Sequence, residues 1–235
     1  MKTYLYFLII ISLFSCQDQS RIILTAESIL KFDKDTTRLQ LFSNNIYQIK
    51  IAKNNKNPSS IEKGEYSLNG DTLYLNNSAG KRKGIIKNNS VEFFRSSDLL
   101  KLMVLKSEIK IRKFLNQETL ERISVFNYSS SNYLFKEAVT THDLTQTEFD
   151  KFEHIANSCI RKKLGEKFSI KKYFIQLIAV RNDRNEILIW ANCMCEKSYA
   201  FDYAISDISD GGSCFLNLKI NLSNDDCQDL IINGY

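Results

Sequence analysis

The sequence predicts an α+β protein: an N-terminal antiparallel β-meander, then one helix packed on an antiparallel sheet of four or five strands. Three observations predict this class. Short apolar-alternating runs separated by Asn, Gly and Ser fill the first half of the chain. One amphipathic stretch with a clear start signal comes next, and alternating runs then return. A single helix followed by an antiparallel sheet is the element order of an α+β fold.

The first fifteen residues have the layout of a secretory signal. Lys2 gives a positive start, an apolar run extends from Tyr4 to Phe14, and the first acidic residue is Asp18. The run is too short to cross a bilayer, which takes roughly 20 apolar residues. We therefore expect residues 1–15 to be a signal peptide that is removed.

The end of this run, Leu13-Phe14-Ser15-Cys16, resembles the lipobox of bacterial lipoprotein precursors, although Phe14 stands where small or β-branched residues are commoner. The resemblance implies that the signal is cut before Cys16, and that diacylglycerol and a fatty acid such as palmitate anchor the chain there. Gln17 replaces the aspartate associated with inner-membrane retention in some bacteria, which favours the outer membrane of the cell envelope. The alternative is an ordinary signal peptide, with Cys16 as a disulfide partner.

The charge is unevenly distributed along the chain. Residues 17–115 carry 18 Lys and Arg against 10 Asp and Glu, whereas residues 116–235 carry 13 against 17. A basic segment is typical of contact with nucleic acid or an anionic surface. Because an exported, lipid-tethered protein rarely meets nucleic acid, we expect a membrane contact through the lipid and an envelope protein partner, but no nucleic acid.

The segmentation predicts a lipidated tether at residues 16–20, an antiparallel β domain at 21–115 and an α+β domain at 116–235. About five strands are recognisable in the β domain. Turn signals occur at Asn69-Gly70, which supplies the positive φ of a tight hairpin, and at Asn88-Asn89. The segment GEYSLNGDTLYL, from Gly64, resembles a hairpin of small lipocalin-like modules in bacterial lipoproteins.

The helix of the second domain has a defined start and end. Thr145 and Glu148 form a capping box, with Leu144 and Phe149 placed as a hydrophobic staple. Gly165 is placed to end the helix. Apolar residues at helical spacing define the buried stripe: Phe149, Phe152, Ile155, Ala156, Cys159 and Ile160.

Five strands are predicted after the helix, and this order is similar to that of cystatin-like folds, which implies nothing about function. The predicted strands are Tyr173 to Val180, Glu186 to Cys195, Tyr199 to Ile205, Cys214 to Leu222 and Gln228 to Ile232.

Five cysteines remain beyond Cys16, and all lie in the second domain. In an exported protein they are candidates for disulfides. The predicted meander places Cys214 at the opposite sheet edge from Cys193 and Cys195, so we expect Cys214 to be a free thiol. We expect Cys159 to pair with Cys193 or Cys195, and a second bridge to involve Cys227. Five buried thiols without a disulfide are the alternative.

No catalytic, metal or cofactor site is predicted. His142 and His154 are the only histidines, and Cys159, one turn from His154, faces the core. Zinc sites usually use Cys-x₂₋₄-Cys rather than the Cys-x-Cys of Cys193 and Cys195. The acidic residues near the C-terminus lack the calcium-loop spacing and are expected in turns.

The expected function is that of a membrane-anchored exported lipoprotein, a non-catalytic binding or structural module at the cell envelope. One alternative is a lipocalin-like carrier of a small apolar ligand, although about five strands are fewer than the usual eight. The other is an envelope enzyme with an interdomain site, which requires a pocket with convergent polar groups. If the strand face of Trp190 and Met194 is uncovered, it is a partner-binding patch.

Overall fold

The computed structural model describes residues 20–30, 35–53, 59–94, 99–128, 134–135, 137, 139–208 and 210–234. The predicted signal peptide and Cys16 lie outside these residues. The described chain forms a closed eight-stranded antiparallel barrel, followed by a separate six-stranded mixed sheet and one long helix. The α+β class is confirmed, but the predicted sheet of four or five strands is wrong. Among the described residues, no helix is long and apolar enough to cross a membrane.

The barrel contains more strands than the sequence analysis recognised. Each strand pairs antiparallel with the next, and β1 pairs with β8 to close the sheet. Fewer strands were predicted partly because the alternating run from Arg38 to Ala52, which lacks glycine, contains two strands joined at residues 43–45. The strands are β1 (Ile22–Leu30), β2 (Asp35–Phe42), β3 (Ile46–Ala52), β4 (Ser60–Asn69), β5 (Thr72–Asn77), β6 (Gly80–Lys87), β7 (Ser90–Phe94) and β8 (Leu99–Ser107).

Two hairpin turns form where the sequence predicts them. Gly70 has a φ of 57°, in the turn between β4 and β5, and Asn69 pairs with Thr72 across it. Asn88 and Asn89 have φ values of 46° and 61°, between β6 and β7. Positive φ at both central residues matches the twist of a tight hairpin. These turns therefore fix the register of two strand pairs, β4 with β5 and β6 with β7.

Apolar side chains pack the barrel interior, and a polar cluster lies among its described residues. The Tyr47 hydroxyl donates to Glu62 Oε1 at 2.6 Å, and Asn77 Nδ2 donates to the same oxygen at 2.8 Å. Arg82 pairs with the other carboxylate oxygen. A Cβ at Gly64 would lie 2.7 Å from the Tyr47 ring, so only glycine permits this approach. Burial, followed by the hydrogen bond and charge of Glu62, raises the pKa of Tyr47 to about 12.

The second domain is a mixed sheet in the order β10-β11-β12-β13-β14, with β9 parallel to β11. The predicted strand Tyr199 to Ile205 is wrong, because this segment forms turns on the sheet surface. The strands β12 and β13 are therefore direct neighbours. The elements are α1 (Gln117–Arg122), β9 (Ile123–Phe126), β10 (Val139–Thr141), α2 (Gln146–Leu164), β11 (Phe174–Asn182), β12 (Ile187–Met194), β13 (Gly212–Asn221) and β14 (Asp226–Asn233).

Helix α2 begins and ends as predicted. Both hydrogen bonds of the Thr145–Glu148 capping box are present, and Gly165 is the C-cap with a φ of 100°. The staple residues Leu144 and Phe149 are buried. Phe152, Ala156 and other residues of the apolar stripe pack against β11, β12 and β13 in one core. Burying this stripe fixes the helix on one face of the sheet.

The barrel contacts the second domain through a buried charge pair, which we call the junction. Lys101 Nζ on β8 lies 3.9 Å from Glu92 Oε1 on β7, and their side chains are 3% and 2% exposed. Lys101 donates to Ser124 Oγ at 2.9 Å and to the Val125 carbonyl at 2.6 Å. Both Asn127 nitrogens donate to Glu92. The junction therefore fastens β9 to the outer face of the barrel.

Lys101→Met is expected to lower the free energy of unfolding by about 3–5 kcal/mol, because it leaves the buried Glu92 carboxylate without its cation. In the double variant Glu92→Gln/Lys101→Met, much of this loss should be recovered. Urea denaturation of the four proteins in this cycle measures the coupling. Lys106→Met, on the exposed face of the same strand, is the control. Additive losses in the double variant would show that the two charges are not coupled.

Barrel stability is expected to fall as the pH rises from about 10 to about 12. The folded state holds the Tyr47 proton in this interval, whereas the unfolded state releases it, so deprotonation favours unfolding. Tyr47→Phe should flatten this part of the profile, and the exposed Tyr74→Phe should not. Denaturant titrations at several alkaline pH values test this. Parallel profiles for wild type and Tyr47→Phe would contradict it.

Candidate functional site

Four cysteines form two disulfides in the second domain. Cys159 on α2 is bonded to Cys227 on β14, with Cα atoms 6.3 Å apart. Cys195, just after β12, is bonded to Cys214 on β13, with Cα atoms 5.0 Å apart. A disulfide stabilises the folded state by restricting the unfolded chain, and the effect grows with the length of the closed loop. The first bridge, across 68 residues, contributes about 4 kcal/mol, and the second, across 19 residues, about 3 kcal/mol. Disulfide bonding is thus confirmed, including its predicted members Cys159, Cys195 and Cys227.

The predicted free thiol at Cys214 is wrong, and so is the predicted pairing of Cys159 with Cys193 or Cys195. Because no strand lies between β12 and β13, Cys193 faces Leu216 across the antiparallel ladder, and Cys195 comes opposite Cys214. Cys193 is the free cysteine of the described residues and is completely buried. Desolvation strongly raises the pKa of its thiol. A thiol kept protonated in this way is a poor nucleophile.

The histidines do not assemble a catalytic site. His142 Nε2 lies 3.1 Å from both carboxylate oxygens of Glu148 in the capping box. Although burial opposes it, hydrogen bonds from Thr145 and His142 lower the pKa of Glu148. His154 is exposed and lines a surface groove of about 480 Å³ beside the Cys159–Cys227 disulfide. Cys159 is disulfide-bonded, so no His–Cys pair is available there. Among the described residues, no group of three His, Cys, Asp or Glu is arranged to hold a metal.

A groove on the sheet face opposite the helix is a candidate for binding because it contains the tryptophan, and we call it the Trp190 groove. Its volume is about 320 Å³, at the lower end of the range for ligand sites. Its apolar walls are Leu134, Trp190, Ile205 and Ile208. Its polar groups belong to Asn192, Ser206, Asp207 and Asn217. The face is thus partly covered by the turn segment after β12, and Trp190 remains half-buried.

Two buried amides hold one wall of this groove in place. Gln176 Nε2 donates to the carbonyls of Phe201 and Ala204 at 2.8 and 2.7 Å, and Gln176 Oε1 accepts from the Ser206 amide at 2.8 Å. Asn192 Nδ2 donates to the Ser206 carbonyl at 2.8 Å and to Gln176 Oε1 at 3.1 Å. These bonds replace the ladder bonds that a strand would have made. The wall is therefore a rigid non-strand segment.

A smaller cavity lies beside the junction. It has a volume of about 160 Å³ and is lined by residues of both domains, including Asn88, Lys101, Ser124 and Asp202. Burial lowers the pKa of Lys101, while Glu92 opposes the shift. Because its ammonium already donates to Ser124 and Val125, this lysine serves the domain contact. Asn127, which donates to Glu92, has its own Oδ1 atom buried without a hydrogen-bond partner among the described residues.

The residues that shape these sites were not predicted from the sequence. Gln176 and Asn192 interrupt apolar strands, and Glu92 and Lys101 lie in strands of the barrel. Buried polar residues are hydrogen-bonded in most proteins. A polar residue inside an apolar run therefore indicates a buried hydrogen bond. That signal does not say which segment supplies the partner.

Comparison of the chain with protein-family models, with curated proteins and with solved structures gave no match.

Peptide mapping without reduction is expected to recover Cys159 with Cys227 and Cys195 with Cys214. Cys193 should react with a maleimide only after denaturation, because its thiol is buried and protonated. Cys193→Ala should leave both disulfides intact, whereas Cys214→Ala should make Cys195 reactive in the folded protein. Labelling of Cys193 in the native protein at the rate of an exposed thiol would contradict this assignment.

Proposed function

We propose that this protein is an exported lipoprotein of the cell envelope that binds a partner protein through the Trp190 groove and catalyses no reaction. The observation that carries the binding role is the groove itself. Trp190 is the only tryptophan of the chain, and three apolar side chains surround it. Tryptophan in a partly desolvated pocket is typical of the residues that dominate protein interfaces.

Export is supported by the two disulfides, which form and persist in oxidising compartments. Lipid attachment at Cys16 rests on the lipobox resemblance of the sequence, and outer-membrane residence rests on Gln17. Two or three acyl chains suffice for a stable anchor, since each buried CH₂ contributes about 0.8 kcal/mol. The anchor and the groove thus assign separate tasks to the two ends of the chain.

The preorganised wall of the groove supports protein binding. The Gln176 and Asn192 amides already hold the turn segment, so ordering it costs a partner little free energy. The exposed Asp207 carboxylate and the Asn217 amide lie at the groove and are available for polar contacts around an apolar side chain. An apolar centre with a polar rim is the usual anatomy of a protein interface.

A carrier of a small apolar ligand is the second candidate, and barrel closure favours it. Eight antiparallel strands form the barrel, which is lipocalin-like in general form, and eight is the number that barrels holding one small ligand commonly have. Against it, buried side chains such as Tyr47, Leu73 and Phe93 pack into one cluster inside the barrel. A ligand would have to displace them. The interdomain enzyme is less supported, because the junction cavity of about 160 Å³ is below the usual size of a substrate site.

The anchor is tested by Cys16→Ala in the native cell. The wild type is expected to incorporate an alkyne fatty acid and to stay in the envelope pellet after a wash in about 0.5 M salt, which screens charge contacts. Cys16→Ala should incorporate none and be released by the wash. A variant that stays in the washed pellet without acyl chains would refute lipid anchoring.

The groove is tested by photo-cross-linking in the intact envelope. A photoreactive amino acid at Asp207, on the groove rim, is expected to give a discrete adduct with one protein. Trp190→Ala should lower its yield at least about tenfold, as expected for a residue at an interface centre. Lys171, exposed and outside the groove lining, is the control position.

Three further outcomes separate the candidates. The fluorescence of Trp190 should shift when the cross-linked partner, once purified, is added to the protein. An adduct of unchanged yield in Trp190→Ala, or none at all, would reject the groove. Binding of a fluorescent fatty acid by the wild type would instead favour the carrier, provided that its fluorescence is quenched when Phe93→Trp places a tryptophan inside the barrel.

A further inference from the structure

The outer face of the barrel strands β3 to β6 carries a concentrated positive charge, and we call it the lysine face. Four lysines point outward, alternating with the buried side chains of the barrel core: Lys50 on β3, Lys63 on β4, and Lys81 and Lys83 on β6. The register places them as two pairs on either side of β5: Lys50 is opposite Ile61, next to Lys63 on β4, while Lys81 and Lys83 are opposite Asn76 and Tyr74. Glu65 is the acidic side chain on the same outward rows of the described strands.

These four lysines differ from three other basic groups of the barrel. Arg38, Arg82 and Lys87 are paired with carboxylates of Glu27, Glu62 and Asp143. By contrast, no ion pair links any of the four lysines to a carboxylate within the described residues. Four lysines that share the outward rows of β3 to β6 with a single glutamate, Glu65, give this face a net positive charge, which attracts an anionic surface.

Two exposed apolar side chains lie among these lysines. Ile61 is 54% exposed and is opposite Lys50, and Tyr74 is 41% exposed and is opposite Lys83. Tyrosine has an apolar ring and a polar tip, a combination enriched where a bilayer meets water. Lysine side chains at such a surface can place their alkyl stems along apolar groups and their ammonium groups beside phosphates.

The short segment between Cys16 and β1 also favours contact between the barrel and a membrane. Residues 17–21 separate Cys16 from β1, and five extended residues span at most about 18 Å. This is on the order of the width of a barrel of this size. An acyl anchor at Cys16 would therefore hold the barrel against the bilayer. Strands β7 and β8 carry the junction, and β6 borders it, because Ile85 is opposite Glu92. Strands β3 to β5 lie farther from it around the barrel.

We propose that the lysine face lies flat on the anionic phospholipid surface of the membrane in which the protein is anchored, with phosphatidylglycerol head groups between the lysines. In this orientation of the barrel, the second domain and its Trp190 groove face away from the bilayer. This inference deepens the proposed function and rests on it for the anchor, but the charge contact itself does not need the acyl chains.

The test uses the lipidated full-length mature protein, reconstituted in vesicles that contain either phosphatidylglycerol or phosphatidylcholine alone. Amine acetylation is followed residue by residue by mass spectrometry. Acetylation of Lys50, Lys63, Lys81 and Lys83 is expected to slow at least about fivefold in the anionic vesicles, the factor that one surface-bound lysine contributes. The exposed Lys171 and Lys172 of the second domain are internal controls and should react equally in both.

A second measurement separates this proposal from the lipid anchor. The Cys16→Ala protein, which lacks acyl chains, should sediment with phosphatidylglycerol vesicles at low salt and be released at about 0.5 M salt. Changing the four face lysines to Gln should weaken this binding by several hundredfold, at about fivefold per lysine. Changing Lys162, Lys167, Lys171 and Lys172 to Gln is the matched control and should alter it less than about threefold.

The outcomes are distinct. Equal acetylation of the face lysines in both vesicles, with acyl chains present, overturns the lysine face and leaves the anchor. Salt-sensitive vesicle binding by a wild-type protein that carries no acyl chain overturns the anchor and supports the lysine face. Trp190 fluorescence and a cooperative unfolding transition show that the Gln variants are folded.

Discussion

The buried pair of Glu92 and Lys101 determines how the two halves of the chain meet. Removing two charges from water costs several kcal/mol each unless every remaining donor and acceptor finds a partner. Here Ser124, the Val125 carbonyl and both Asn127 nitrogens provide those partners. A backbone carbonyl and a backbone amide of the β9 segment take part, so these bonds require that segment to lie against β7 and β8. With the Lys87–Asp143 ion pair, they hold the second sheet against the barrel.

That orientation distributes three surfaces around the molecule. The barrel side formed by β7 and β8 is used by the junction, and the side formed by β3 to β6 carries unpaired lysines. On the second sheet, α2 covers one face, while the barrel and the turn segment after β12 cover parts of the other. The Trp190 groove is what stays open on that face. The proposed anchoring, membrane contact and partner binding would thus use separate parts of one chain.

The disulfides stabilise the half of the molecule that carries the groove. The bridge from Cys159 to Cys227 fastens the helix to the edge strand β14, and the bridge from Cys195 to Cys214 closes the base of the turn segment. Together with the Gln176 and Asn192 amides, the second bridge restricts the segment that forms the groove wall. A rigid wall in an oxidising compartment needs no bound ligand to keep its shape.

The sequence by itself determined the local structure. The Thr145 cap, Gly165, and the turns at Gly70 and at Asn88-Asn89 depend on residues within a few positions of one another, so they were predictable. Tertiary structure decided barrel closure, the junction and the cysteine pairing, since each joins residues distant in sequence. Alternation of apolar residues shows that a strand has two faces, but not which strand lies beside it. Cys214 illustrates the difference: its side of the strand was predictable, whereas its partner depended on Gln176 holding residues 199–205 off the sheet as turns.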